Sequence, residues 1–465
     1  MSKQENQMEN NVRNIDAQSR GFSDFSKNSF PDVPDLVCLS HLRWDFVYQR
    51  PQHLLSRCAA DRRVFFVEEP IFSSDSSDRL EVSPRESGVW VVVPHLREGM
   101  SEEEVIAAQQ MMLDELFAQA EIHQYILWYY TPIAMAFSYH LEPLAVVYDC
   151  MDELSAFKGA SPILKQRETE LFNRADLVFT GGQSLYEAKR NQHPNVYAFP
   201  SSIDTAHFAK SRTLAEEPAD QADIPHPRLG FYGVIDERMN LELLGGIAEA
   251  RPDWHLVIIG PVVKIDPATL PRHPNIHYLG GKSYPELPSY LAGWDVALLP
   301  FALNESTRFI SPTKTPEYLA AGKPVVSTSI RDVVRPYGQE GLVSIADTVA
   351  DFVAAAEAAM QQNAEAAWLK QVDAFLANTS WDSTWARMMQ LVKGVMDTRG
   401  AVSPLVQQHE VPENRQASLE NLVHSAKVLA SELENPTGVT SAQQSTRTAV
   451  ERSLSESRSN FVKSE

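Results

Sequence analysis

Short apolar runs alternate with segments of helical period along most of this chain, and the alternation occurs twice. That pattern builds parallel sheets through strand–helix–strand crossovers. The first set of runs comprises residues 35–40, 63–67, 89–93, 125–129, 145–148 and 177–180. The second comprises residues 228–233, 255–259, 276–279, 295–299 and 324–327. Helical spacing fills the gaps: Ser101 and Glu104 form a capping box ahead of a face carrying Val105, Ala108, Met112 and Leu116. The expected fold class is therefore α/β, with two Rossmann-like doubly wound domains facing a cleft. Ligands of such sheets bind outside the carboxyl ends of the strands, so chemistry is expected in the loops there.

The boundaries follow from composition. Residues 1–33 are rich in Asn, Gln and Ser and are expected to be a disordered tail. Residues 34–215 form the first domain, residues 216–227 a polar linker, and residues 228–380 the second domain. A last strong helix is expected over 381–396, carrying Trp381 and Trp385. A mostly disordered tail follows over 397–465, in which Leu419, Leu422, Ala426, Leu429 and Leu433 show helical spacing suited to a marginal helix or a short partner-binding or membrane-surface one.

Charge narrows the partners. With 41 Lys and Arg against 61 Asp and Glu, the formal net charge is −20, which disfavours nucleic-acid phosphates. Cys38, Cys58 and Cys150 have no metal-ligand spacing, and no apolar run is long enough to span a bilayer. A reducing cytoplasm is expected, with peripheral contact at the inner membrane face left open.

No Gly-x-Gly-x-x-Gly or Walker loop follows the first strand of either set, which weakens dehydrogenase and P-loop readings. The sharpest local signal is Ser311-Pro-Thr-Lys-Thr-Pro-Glu317, leading through Gly322 and Pro324 into a buried strand. Hydroxyls, Lys314 and a helix start suit a diphosphate, and Glu317 is placed to accept hydrogen bonds from vicinal hydroxyls such as those of a ribose. A solvated lysine and an ordinary first-turn acid fit the same spacing. In the first domain Asp149 and Asp152 follow a strand, where either is able to take a proton from an acceptor hydroxyl or to cap a turn. Gln49, Arg50 and His53 follow the first strand, with Pro51 suited to a first helical turn. Arg50 fits an anionic acceptor or the donor phosphates and His53 a base titrating near neutral pH, or both simply solvate that helix. Most of the aromatics Trp44, Tyr48, Trp128, Tyr129 and Tyr130 fit core packing better than sugar stacking.

The segment from Ser311 to Thr328 resembles the nucleotide-sugar signature of GT-B-fold glycosyltransferases, family 1/4-like. Residues 43–53, 147–152 and 233–238 are similar to signatures of a bacterial branch associated with surface polysaccharides, and the resemblance covers residues 35–393. It implies transfer of a sugar from a UDP- or GDP-sugar donor to a saccharide or lipid-linked acceptor, without a further cofactor. By that resemblance Arg238 and Lys314 neutralise the donor diphosphate, with Ser311, Thr313 and Glu317 completing the donor site. The chain departs from the wider pattern at Phe309, which stands where an acid precedes the helix glutamate, and Glu305 is out of register. No Asp-x-Asp motif occurs, so a metal-independent site is expected. Two alternatives share the frame, a nucleotide-sugar epimerase and a non-catalytic scaffold.

Overall fold

The structure, a computed structural model, describes residues 30, 33–74, 77–362 and 366–406. The leucine-spaced segment between 419 and 433 lies outside the described residues, as does nearly all of the 1–33 segment.

Two separate sheets follow the two sets of apolar runs. The first holds β1 (Asp35–Leu39), β2 (Val64–Val67), β3 (Ile71–Ser73), β4 (Arg79–Pro84), β5 (Val89–Arg97), β6 (Tyr125–Tyr129), β7 (Ala145–Cys150), β8 (Leu177–Thr180) and β9 (Val196–Ala198). Its order is β3-β5-β2-β1-β6-β7-β8-β9, with β4 antiparallel on β5 and every other pairing parallel. The second holds β10 (Arg228–Tyr232), β11 (His255–Ile259), β12 (Ile276–Gly280), β13 (Val296–Leu299), β14 (Val325–Ser327) and β15 (Val343–Ile345), in the order β12-β11-β10-β13-β14-β15. The strand order reverses between β1 and β6 and again between β10 and β13. At each reversal the flanking loops diverge and leave a crevice at the carboxyl ends.

The central strands are continuous apolar runs buried on both faces, as parallel strands covered by helices must be. The covering helices include α1 (Arg50–Cys58), α2 (Glu102–Gln119), α3 (Leu164–Arg174), α4 (Gln183–Lys189), α5 (Leu241–Ala250), α6 (Lys314–Ala320) and α7 (Trp381–Val406). The capping box at α2 forms as its sequence implies: Glu104 N donates to Ser101 Oγ at 3.3 Å and Ser101 N donates to the Glu104 carboxylate at 2.8 Å. Four strands were not foreseen, the short or edge strands β3, β4, β9 and β15. Their alternating or partly exposed residues carry no long apolar run.

Two details refine the expected organisation. The polar stretch over 216–227 is packed rather than loose, because Gln221 is fully buried and bonds Tyr290 O at 3.0 Å and Trp294 Nε1 at 2.9 Å. Helix α7 runs beyond 396, and Trp381, Trp385, Met388 and Val392 bury against the first-domain strands. Among the described residues no helix is long and apolar enough to cross a membrane.

Candidate active site

A cavity of about 710 Å³ opens between the carboxyl ends of the two sheets. Its first-domain wall is the loop after β1 into α1, with Met151, Asp152, Gly181 and Ser201. Its second-domain wall is Tyr232–Val234, Arg238, the loop after β12, and Ile310–Lys314 with Glu317. Of the residues singled out from the sequence, Trp44, Tyr48, Gln49, Arg50, Asp152, Arg238, Ser311, Thr313, Lys314 and Glu317 meet on this one surface.

The second-domain wall is built by close approach. Gly233 ends β10 with φ +133°, and a Cβ there would lie 2.2 Å from Lys314 Cε. Gly260 ends β11 with φ +144°, and a Cβ there would lie 1.9 Å from Gly233 O. Both conformations strain any L side chain, and the missing side chains make room for the lysine to lie across the strand ends. Lys314 Nζ sits 5.6 Å over the Phe231 ring and has neither hydrogen bond nor ion pair among the described residues. Burial, and then the neighbouring Arg238, pull its ammonium pKa down to about 8.

Arg238 is held from behind. Its Nε lies 3.0 and 3.1 Å from the two Asp236 oxygens and its Nη2 2.7 Å from Oδ2. The Asp236 side chain is 4% exposed whereas that of Arg238 is 25% exposed. The acid therefore orients the guanidinium and does not cover its cavity-facing edge. Glu317 is buried beneath the wall, where its carboxylate accepts a short hydrogen bond from Tyr232 Oη, and the Tyr232 amide donates to Tyr318 Oη at 3.0 Å. Burial raises the Glu317 pKa toward about 7, against the Tyr232 bond and the Lys314 charge. Ser311 is fixed from the first domain, its carbonyl accepting from Ser201 Oγ at 3.1 Å. Thr313 precedes α6 in helical conformation without a side-chain cap.

The first domain distributes its polar groups differently. Asp152 reaches the cavity wall and its carboxylate has no hydrogen bond among the described residues; burial raises its pKa while Arg238 and Arg50 oppose the rise. Asp149 does not reach the wall, which corrects its placement beside an acceptor. It is fully buried in a forked ion pair with Arg50, Nε at 3.0 Å from both oxygens and Nη2 at 2.8 Å from Oδ1. Arg50 Nη1 gives its remaining bond to Phe199 O at 2.7 Å. The guanidinium is thereby neutralised inside the domain, and Arg50 borders the cavity with a side chain only 3% exposed. His53, like Asp149, is absent from the wall. Its ring stacks on Trp381 at 4.5 Å and 9° and meets Tyr48 edge-on at 4.7 Å. Burial, and then the charge of Arg57, lower its pKa to about 3, so it stays neutral and packs α7 onto α1.

Phe309 packs against the first-domain core, below Arg308 at 5.1 Å, and Glu305 is exposed 3.6 Å from Arg308. Neither lines the cavity. Two parts of the wall escaped the sequence reading, together with one ring behind it. One part is Gly260 at the end of β11, which follows no dinucleotide spacing. The ring is that of Phe157, which receives Arg238 at 5.5 Å and Lys264 at 5.2 Å. The other part is the loop after β12, where Tyr284 stacks on Tyr48 at 4.5 Å and on His207 at 4.4 Å. Only the Gly281-Lys-Ser-Tyr-Pro run, a polar turn ahead of a helix, hinted at this loop.

Residues 226–362 match the family model described as Glycosyl transferases group 1. A relative, the putative teichuronic acid biosynthesis glycosyltransferase TuaH of Bacillus subtilis (strain 168), is 27% identical over 304 residues, 60% of this chain and 75% of its own. Among solved structures, the fold is similar to an E. coli trehalose-6-phosphate protein bound with UDP-2-fluoro glucose, at 11% identity and TM-score 0.57 over 77% of this chain and 99% of that one. It is similar as well to Anabaena HepE in complex with UDP, at 12% identity and TM-score 0.54 over 78% of this chain and 100% of that one. Facing doubly wound sheets, a cation-lined cavity between them and the group 1 match in the second domain favour sugar transfer over the epimerase and scaffold readings, and the chain is a glycosyltransferase of the GT-B fold.

Proposed function

We propose that the chain transfers a hexose from UDP-hexose to a saccharide hydroxyl, free or lipid-linked, during assembly of a cell-surface polysaccharide. The observation that carries this reading is the convergence of Arg238 and Lys314, both with cation edges toward one cavity, above the buried Glu317. The uridine assignment draws on the relatives described above, whose structures hold UDP or a UDP-sugar. The surface-polysaccharide assignment draws on the teichuronic acid relative.

In this reading the diphosphate lies between Arg238 and Lys314, Ser311 and Thr313 bond its oxygens, and Glu317 accepts from the ribose hydroxyls. An acceptor oxygen approaches from the first-domain wall and bonds the anomeric carbon. The bond from that carbon to the phosphate oxygen breaks, and its electron pair leaves with UDP. Charge growing on the leaving diphosphate is stabilised by the two fixed cations, which strengthens binding in the transition state more than in the ground state. Asp152, half-buried and unbonded among the described residues, receives the acceptor proton. The loop after β1 presents the exposed ring of Phe46 as a flat face for the acceptor. Residues 34–215 thus act as acceptor domain and 228–380 as donor domain, and a lipid-linked acceptor would bring the protein to the inner membrane face.

The test is thermal unfolding with UDP and GDP. At a thousandfold excess over Kd a ligand stabilises by about 4 kcal/mol. UDP is expected to raise Tm and GDP to do so less, with the gain lost in Lys314→Ala. UDP-sugar consumption should then require a saccharide acceptor. No shift with either nucleotide contradicts the proposal, and conversion of the free donor to an epimer supports the epimerase instead.

A further inference from the structure

Asp332 belongs to the second domain, just past β14, and is 6% exposed. Its carboxylate crosses to the first domain. The Ser184 amide donates to Oδ1 at 3.0 Å and to Oδ2 at 3.3 Å, and Ser184 Oγ donates a further short bond to Oδ1. Helix α4 begins after Gly182, which has no side chain with which to satisfy the first amides. The acid that does so comes from the other domain. Gly182 is as small as it is because that domain fills the space: a Cβ there would lie 2.2 Å from Asp332 Oδ2 and 2.8 Å from Ser311 Cβ.

Both ends of α4 lead to the cavity. At its start, Gly181 lines the wall beside Met151, and Ser311 opens the turn that carries Lys314. At its end, Lys189 is 4% exposed and binds Glu153 at 2.7 Å and Glu168 at 2.6 Å. Glu153 directly follows Asp152. The helix therefore runs from the second domain's acid to the loop bearing the first domain's unbonded carboxylate. The parallel pair Arg331–Glu187 is partly exposed, at 48% and 30%, so solvent screens it more than the buried Asp332 contact.

We infer that Asp332 is a positioning residue: by supplying the missing cap of α4 from across the cleft, it latches the domains and fixes the approach of the Ser311–Lys314 turn to Asp152. The inference rests on the reading of Lys314 as a donor-site group and Asp152 as the group facing the acceptor. It separates two quantities that a general loss of structure would move together. The nucleotide is held by second-domain residues alone, so its affinity is independent of the latch. Transfer needs both walls in register, and a displacement of about 1 Å between reacting groups costs on the order of a hundredfold in rate.

The experiment uses the full chain with spin labels on Gln192→Cys in the first domain and Glu340→Cys in the second. Both positions are exposed, and the natural Cys38, Cys58 and Cys150 are buried. Distance distributions, UDP affinity and kcat are measured for this labelled protein, Asp332→Ala, Asp332→Asn and Gly182→Ala. Expected for Asp332→Ala and Gly182→Ala are a broader, longer distance distribution, a kcat lower by about 10- to 100-fold, and a UDP Kd within about twofold of the parent. Asp332→Asn, able to accept one amide bond, is expected in between. An unchanged distribution, or an unchanged kcat with a broadened one, overturns the latch, as does UDP affinity falling in step with kcat. If the parent binds no UDP, the donor reading fails while the distance arm still decides whether Asp332 holds the domains together.

Discussion

The two walls of the cleft use the same residue types to opposite ends. In the first domain Arg50 and Asp149 neutralise one another completely, and His53 is sealed between Trp381 and Tyr48. In the second, Asp236 grips only one side of Arg238, and Lys314 has no partner among the described residues. A buried ion pair stabilises little but is costly to break, because the surviving charge is stranded. A half-satisfied or unpaired cation is costly to keep and valuable to a ligand that completes it. A strand-end position and a residue type therefore do not identify a binding group. Whether its partner is already present does.

The largest expected effect breaks the comparison on the first-domain side. Arg50→Ala strands Asp149 and should lower unfolding stability by about 3–5 kcal/mol, measured by denaturant titration, while the folded fraction keeps its UDP affinity. Next, Lys314→Ala or Arg238→Ala should lower the transfer rate by about 10²- to 10³-fold, the scale of removing one fixed donor from a developing anion, with small change in stability. If Arg50→Ala removed nucleotide affinity instead, the contrast between the walls would be false.

A smaller effect sharpens the second wall through pH. The Lys314 pKa is depressed, so its charge is full below about 8 and lost as the pH rises through that value. UDP affinity should fall above pH 8, and binding near pH 8 should take up protons, read by calorimetry in buffers of different ionisation enthalpy. Glu317 titrates in the other sense. Its folded pKa is raised, so the stability it contributes is full below the ordinary carboxylate range and lost as the pH rises through about 7. Glu317→Gln should therefore raise the Tm of the second domain at pH 8 by roughly 2–4 °C, the effect of about 1 kcal/mol in a domain of about 150 residues, while weakening UDP binding. The smallest effect is that of His53→Phe, which keeps the stack on Trp381. It should cost under about 1.5 kcal/mol and leave the pH profile of transfer unmoved.

Much of this was legible in the sequence because it depends on local pattern. The central strands, the α2 capping box and the Ser311–Glu317 turn each announce themselves within a few residues. What was not legible depends on pairing across long separations. Arg50 meets Asp149 ninety-nine positions away, and Ser184 meets Asp332 one hundred and forty-eight away. No local spacing distinguishes the paired Asp149, near the end of β7, from the open Asp152, three residues later in the loop that follows. Gly260 was invisible for the same reason, being required by the carbonyl of Gly233 in another segment.

The central claim is that the second-domain wall is an incomplete charge site finished by a diphosphate. A crystal structure with UDP bound tests it most directly. The account predicts phosphate oxygens within hydrogen-bond distance of both Lys314 Nζ and the outer edge of Arg238, with the ribose hydroxyls on Glu317. A diphosphate bound on Arg50 or elsewhere, with Lys314 turned from it, would contradict the account.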